Sequence, residues 1–327
     1  MNKAGFFGLI ALAIFAVIFY EEGVSTPNAG EGEAVVEIRK GESVKTIATA
    51  LEKAGVISSP ALFRLESRLA GTSGKLRAGE YLLRRDQSIR QTILALVEGK
   101  SMLRKITIPE GLSVRQIAQL LEKEGVASAK DFEQAAMNPE LLKKHNVPAV
   151  SAEGYLFPDT YHFVKNTSAG MVAGVMVETF FEKIPTALPE TVWKDPEKLH
   201  KTLTLASIIE KETGADAERS MVAAVFMNRL EMGMPLQSDP TVIYAIPDFD
   251  GDIRKKDLRH DSPYNTYTRR GLPPGPIANP GLASLQAVLN PAPGGYLYFV
   301  SKNDGTHKFS ETLDEHNSAV RKYQLAK

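Results

Sequence analysis

The sequence contains no cysteine and one tryptophan, and it has no excess of either charge: 39 lysines and arginines stand against 39 aspartates and glutamates. Without cysteine there is no disulfide framework and no thiolate nucleophile. That usage is compatible with a bacterial periplasm or outer face. A balanced charge gives no polyanion-attracting field, so no nucleic-acid partner is expected. The six histidines, His145, His162, His200, His260, His307 and His316, fall at no metal-ligand spacing, and neither a metal nor another cofactor is expected. "DFDGD", Asp248 to Asp252, lacks the length and closing Glu of a calcium loop and reads as a turn.

Charge is also missing locally. From Ala4 to Tyr20 the chain carries none, with Lys3 before the run and Glu21 and Glu22 after it. The run is at the short end of what spans a bilayer. A cleaved signal peptide would begin the same way. However, bulky Ile18, Phe19 and Tyr20 close the run, and no small-x-small cleavage site follows directly. The expectation is therefore an uncleaved transmembrane anchor over residues 1–22, with a short cytoplasmic N-terminus and the rest of the chain outside. The small, polar, Gly-rich residues 23–33 read as a linker.

An internal repeat follows. Gly41, Ser43, Val44, Ile47, Ala48, Leu51, Glu52, Lys53, Gly55 and Val56 recur as Gly111, Ser113, Val114, Ile117, Ala118, Leu121, Glu122, Lys123, Gly125 and Val126. Phe63 and Phe132 pair if one residue is dropped from the second copy. Two copies are too few for a solenoid and predict two small modules built alike. Each reads as a strand, a turn at Gly, a helix capped by Ser and a closing Gly. "KGESVKTIA", Lys40 to Ala48, resembles the LysM signature, which implies binding of N-acetylglucosamine polymers. A positioning module with no sugar affinity is the other reading. The expected boundaries are 34–103 for the LysM-like module, 104–150 for the second copy as a positioning subdomain, and 151–327 for a catalytic domain.

In the third region "LASIIEKETG", Leu205 to Gly214, places two acids at the end of an apolar run. Leu205, Ile208, Ile209 and Glu212 fall on one helical stripe, and Glu210 lies off it. Gly214 is placed to cap the helix. The helix is apolar almost all round, so Glu210 could be buried as well. A carboxyl buried at a helix C-terminus has its pKa raised both by desolvation and by the helix dipole. Such a group can stay protonated near neutral pH and protonate a poor leaving group, such as a glycosidic oxygen. Downstream, "LQSDPTVIYAI" and "YNTYTRRGLPPGPIANPG" put amides and aromatic faces beside Pro-rigid loops, which suits sugar rings. Asp239 before Pro240 reads equally well as a helix N-cap.

Taken with "EGYLFPDTY", "ERSMVAAVFMNRL" and "YLYFV", these strings resemble the YceG-like, or MltG-type, membrane-anchored endolytic murein transglycosylases. The resemblance implies that Glu212, second acid of "EKET", is catalytic. It also implies cleavage of the β-1,4 bond between N-acetylmuramic acid and N-acetylglucosamine within glycan strands, leaving a 1,6-anhydro end and terminating nascent strands. Gln237, Asp239, Tyr264, Asn265 and Tyr267 are the candidate substrate-binding residues. Expected partners are peptidoglycan strands, the inner membrane through a single pass, and peptidoglycan synthases. Two other readings remain. A muramidase would need a second carboxylate, for which Asp239 and Asp159 are candidates. A non-catalytic wall-binding scaffold would need none. The expected fold class is α+β: an N-terminal transmembrane helix, LysM-like small α/β modules, and a mostly helical lysozyme-like catalytic region. A C-terminal hairpin about Asp304-Gly305 and a capped helix over "TLDEHNSAVRKYQ" complete it.

Overall fold

Serines that open apolar runs at helical spacing set the architecture of the N-terminal third. The structure, a computed structural model, describes residues 3–99, 103–247 and 249–325. It divides into two compact units, Met1–Arg104 with His162–Asn166, and Lys105–Tyr161 with Thr167–Lys327.

The smaller unit runs α1 (Lys3–Ser25), β1 (Glu33–Ile38), α2 (Val44–Lys53), α3 (Pro60–Leu69), β2 (Gly79–Arg84) and α4 (Ile89–Glu98). β1 and β2 are antiparallel, from Glu33 opposite Arg84 to Ile38 opposite Gly79. Alternation sends Val36 and Ile38 of β1, with Tyr81 and Leu83 of β2, into a core shared with Ile47, Leu51, Phe63 and Leu96. Ser43 caps α2 by accepting from Thr46 N at 3.2 Å, and Ser88 with Gln91 forms a capping box on α4. α1 continues past the expected boundary at residue 22. Val24 is fully buried in this core and Glu21 pairs with Arg90 at 2.9 Å, so packing draws the first residues of the expected linker into the helix. Among the described residues, no helix is long and apolar enough to cross a membrane.

The larger unit begins in the strand β3 (Arg104–Thr107). It continues through α5 (Val114–Lys123), α6 (Ala129–Ala136), α7 (Pro139–Lys144), β4 (Thr160–Phe163), α8 (Ala169–Lys183) and α9 (Glu190–Trp193). Then come α10 (Pro196–Glu212), α11 (Arg219–Glu231), α12 (Asp239–Ala245), α13 (Leu282–Leu289), β5 (Tyr298–Ser301), β6 (His307–Ser310) and α14 (Leu313–Val320). The class is α+β, with small two-stranded sheets beside a helical majority. β5 and β6 form the expected hairpin, with Asn303 and Gly305 at positive φ in its turn, and Thr312 caps α14 by accepting from Glu315 N at 3.3 Å. Asp248, first residue of the expected "DFDGD" turn, lies outside the described residues. Within the remainder, Asp252 N donates to Asp250 Oδ1 at 3.1 Å.

The repeat is structural as well as textual. Ser113 caps α5 as Ser43 caps α2, and Ser128 caps α6 as Ser59 caps α3. The closing glycines Gly55 and Gly125 share a left-handed backbone, at φ 72° and 68°. Phe63 and Phe132 are both fully buried. The second copy falls within the larger unit, where Glu153 and Asn279 hold its turn. Val114 N donates to both Glu153 oxygens, at 3.0 and 3.1 Å. Asn279 Nδ2 donates to Leu112 O at 2.9 Å and to Glu153 Oε1 at 3.0 Å.

Gly154 makes this junction possible. Its φ is +85°, and a Cβ there would sit 2.5 Å from Pro276 Cγ. Gly154→Ala should therefore destabilise the larger unit by at least about 2 kcal/mol in urea unfolding. Gly214→Ala, which meets open space, should change stability by no more than about 0.5 kcal/mol.

Candidate active site

Asp195 and Pro196 start α10: Asp195 Oδ1 accepts from Glu197 N and Lys198 N, each at 3.1 Å, and proline at the first turn loses no needed donor. The helix is buried on nearly every side, through Leu199, Leu203, Leu205, Ala206, Ile208 and Ile209. An apolar stripe therefore does not by itself distinguish Glu212 from Glu210. α10 ends at Glu212, and Thr213 leaves it in an extended conformation (φ −140°, ψ 132°). Gly214 is not the left-handed cap that the sequence suggests. Thr213 already turns the chain out, and its Oγ1 accepts from Ala215 N at 3.0 Å.

Two residues along a helix is a rotation of about 200°, so the two carboxylates face opposite ways. Glu210 is committed to structure. Its Oε2 accepts from Gly281 N at 3.1 Å and Ser284 Oγ at 2.7 Å, capping α13, and Arg219 Nη2 lies 3.5 Å from Oε1. These contacts fix the Glu210 side chain between α13 and Arg219. Glu212 has no such set. Its Oε1 accepts from Ser238 Oγ, while burial pushes its pKa from the ordinary 4.5 up to about 7. The Ser238 hydrogen bond and the charges of His307 and Arg229 pull the other way, and Asp239 adds to the rise.

Ser238 is fixed in turn. Its N–H donates to Thr266 Oγ1 at 3.0 Å, and its carbonyl accepts from Thr241 Oγ1 at 2.7 Å. Ser238, not Asp239, holds the N-cap position of α12, and Asp239 is the first helical residue. Released from capping, Asp239 Oδ1 accepts from Tyr267 OH at 2.6 Å. Gln237 precedes them with an exposed side chain and a left-handed backbone at φ 50°. That conformation is uncommon for a non-glycine residue, and Gln237 N donates to Thr266 O at 3.1 Å.

The expected residues are thus brought together only in part. Glu212, Asp239 and Tyr267 share one network, and Gln237 adjoins it. Asn265 is fully buried, with its amide nitrogen donating to Leu258 O and His260 O and its oxygen accepting from Tyr267 N at 2.9 Å. It orients Tyr267 and offers no free group to a ligand. Tyr264 lies elsewhere, its ring 5.0 Å from that of Tyr244, whose hydroxyl donates to buried Glu153 at 3.2 Å. Burial raises the Glu153 pKa to about 8. Asp159 precedes β4 with Oδ1 accepting from Thr160 N at 2.7 Å, and it has no part in the Glu212 network.

Sequence reasoning passed over several groups. Ser238 stands in "LQSDPTVIYAI", where Asp239 rather than Ser238 reads as the N-cap. Buried Arg229 donates to Leu297 O and Leu236 O, both at 2.7 Å, bridging segments far apart in the chain. Glu218 receives His307 N at 2.9 Å and lies 2.7 Å from His307 Nδ1, an alignment that no spacing announces. On the opposite face of α10 the Pro-rich loop is tied down by His200 Nε2, 3.0 Å from Pro274 O, and by Ser207 Oγ, which accepts from Ile277 N at 3.0 Å.

A family model described as the YceG-like family matches residues 36–322. A protein of Bacillus subtilis (strain 168) named endolytic murein transglycosylase is 36% identical over 337 residues, covering 97% of this chain and 92% of that protein. One of the same name from Streptococcus pneumoniae (serotype 2, strain D39) is 30% identical over 89% of this chain, which spans 58% of the streptococcal protein's length. The crystal structure of a yceG-like protein from Listeria monocytogenes superposes with a TM-score of 0.61 at 35% identity, over 89% of this chain and all of that one.

The raised Glu212 pKa has a consequence for stability. The folded state holds the proton up to about pH 7, whereas the unfolded chain releases it near 4.5. Folding therefore takes up a proton between these values, and stability falls as pH rises through that window. Glu212→Gln removes this term. Its stability relative to the wild type should improve from pH 4 to pH 8 by up to about 3 kcal/mol in paired urea titrations.

Proposed function

The chain belongs to the YceG-like family, and from that membership and the Glu212 site we propose that it is an endolytic murein transglycosylase, a lyase acting on peptidoglycan. It cleaves the β-1,4 bond between N-acetylmuramic acid and N-acetylglucosamine within glycan strands. The observation that carries the residue assignment is the carboxyl of Glu212, kept protonated near neutral pH by burial and held by one serine hydroxyl.

In the first step Glu212 gives its proton to the bridging oxygen as the bond from that oxygen to the muramic anomeric carbon breaks. The N-acetylglucosamine side leaves as an alcohol, and positive charge is left at the anomeric carbon. Glu212, now a carboxylate, then takes the proton of the muramic O6 hydroxyl as that oxygen bonds to the anomeric carbon. The product is the 1,6-anhydro ring, the glutamate is restored to its acid form, and no water is consumed. This cycle asks one group to exist in both forms near neutral pH, and a pKa of about 7 supports that. Ser238 orients the carboxyl. Asp239, with Tyr267 holding it, is assigned to stabilising charge at the anomeric carbon, and Gln237 to contacting the sugar.

The uncharged run from Ala4 to Tyr20, with Lys3 before it, supports a single-pass inner-membrane anchor with the rest of the chain on the periplasmic or outer face. The strand, glycine turn and serine-capped helix of β1 and α2 support a LysM-like role for the smaller unit, binding the same polymer. An anchored enzyme acts where new glycan emerges, which favours partnership with peptidoglycan synthases and termination of nascent strands.

Digestion of purified peptidoglycan with mass analysis of the ends tests this. The wild type should yield anhydro ends and Glu212→Gln should yield none. Ends heavier by one water would instead identify a hydrolase, and equal cleavage by both proteins would identify another catalytic residue. The wild-type rate should fall as pH rises through about 7, because the first step needs the protonated acid. Ser238→Ala removes a hydrogen bond that favours the carboxylate, so this alkaline limb should move up by on the order of one pH unit.

A further inference from the structure

A cavity of about 710 Å³ lies between β6 and α14. Its size is that of a small-ligand pocket. Its floor includes the buried Phe309 and Ala319. Ser310 also lines it, at 2% exposure, with a hydroxyl that has no hydrogen-bond partner among the described residues. A buried hydroxyl left unpaired disfavours the folded state unless a ligand or water meets it.

The rim carries both signs of charge. Lys308 and Lys322 supply ammonium groups, and Glu311 and Asp314 supply carboxylates. Glu315 is partly used, since its Oε2 accepts from Glu311 N at 3.1 Å. A phosphate or polyanion would meet the acids, and a simple cation would meet the lysines. The ligand that matches every group carries an amine and carboxylates together, with aliphatic segments for Tyr296 and Phe309.

We propose that this cavity is a subsite for the stem peptide of the glycan strand, a short peptide bearing a free amine and free carboxylates. The proposal rests on the function given above. β6 supplies the link between the sites. Its first residue, His307, acts electrostatically on Glu212, and its last, Ser310, lines the cavity. Three residues of strand span about 10 Å, and an extended tetrapeptide reaches about 13 Å. A stem attached to the muramic acid at Glu212 would run along β6 to reach the cavity, so that the enzyme reads whether a strand still carries its peptides.

The test is calorimetric titration of the full chain in detergent with a synthetic stem tetrapeptide containing a diamino acid. Cleavage of glycan strands with and without their stems is measured in parallel. The wild type should bind the free peptide and should show a lower KM for stem-bearing strands. Asp314→Lys and Lys322→Glu, both outside the Glu212 network, should each weaken peptide binding at least about tenfold. Both should leave cleavage of stripped strands unchanged. Circular dichroism checks folding, and either variant suffices if the other misfolds. No measurable peptide binding by the wild type, or equal binding by wild type and folded variant, overturns the subsite. Peptide binding that responds to the variants while no strand is cleaved overturns the transglycosylase reading and leaves the subsite standing.

Discussion

A carboxyl group in low-dielectric surroundings resists ionisation unless something nearby repays the lost hydration, and at the end of α10 the repayment is deliberately small. Glu212 meets one hydroxyl, from Ser238, and more distant help from Arg229 and His307. Two residues earlier, Glu210 meets a backbone amide, a hydroxyl and a guanidinium. Both side chains issue from the same buried helix. Their chemistry diverges because one is surrounded by donors and the other is nearly without them. An acid that gives up a proton and takes one back needs the second environment, and a structural anchor needs the first.

Much of the larger unit can be read as support for that contrast. The Pro-rich loop is tied along one face of α10 by His200, Ser207 and Glu210, which fixes the helix in rotation and leaves Glu212 on the other side. The start of α12 is locked by Thr241 and Thr266 around Ser238, so the one donor is held by two neighbours that also hydrogen-bond to each other. Asn265 spends its whole side chain orienting Tyr267 and the surrounding turn. Precision of this kind comes from side chains that orient their neighbours.

The repeated module shows one sequence pattern put to two uses. Serine caps, left-handed closing glycines and a buried phenylalanine recur in both copies. In the second copy the amide at the start of the helix is taken up by Glu153, a carboxyl with its pKa pushed to about 8 by burial. Glu153 also accepts from Tyr244 on α12 and from Asn279 beside the Pro-rich loop. The copy thereby becomes part of the framework around the site, held by contacts that its own residues do not specify.

The sequence by itself determined the local elements: the repeat with its serine caps, the hairpin about Asp304-Gly305, and a helix ending in two acids. These rest on interactions between residues close in the chain, so periodicity and capping chemistry reveal them. It also held the long strings that resemble the family, and with them Glu212. It did not determine how α10 stops, because Thr213 rather than Gly214 turns the chain out. Nor did it separate Tyr267, whose hydroxyl meets Asp239, from a buried Asn265 two residues away, or place Tyr264 with Tyr244. Ser238, Arg229 and the Glu218–His307 pair gain their roles only when segments 26, 68 and 89 residues apart meet. The tertiary structure decided those, because desolvation and hydrogen bonding depend on which groups surround a side chain, and that is set by the packing of distant segments.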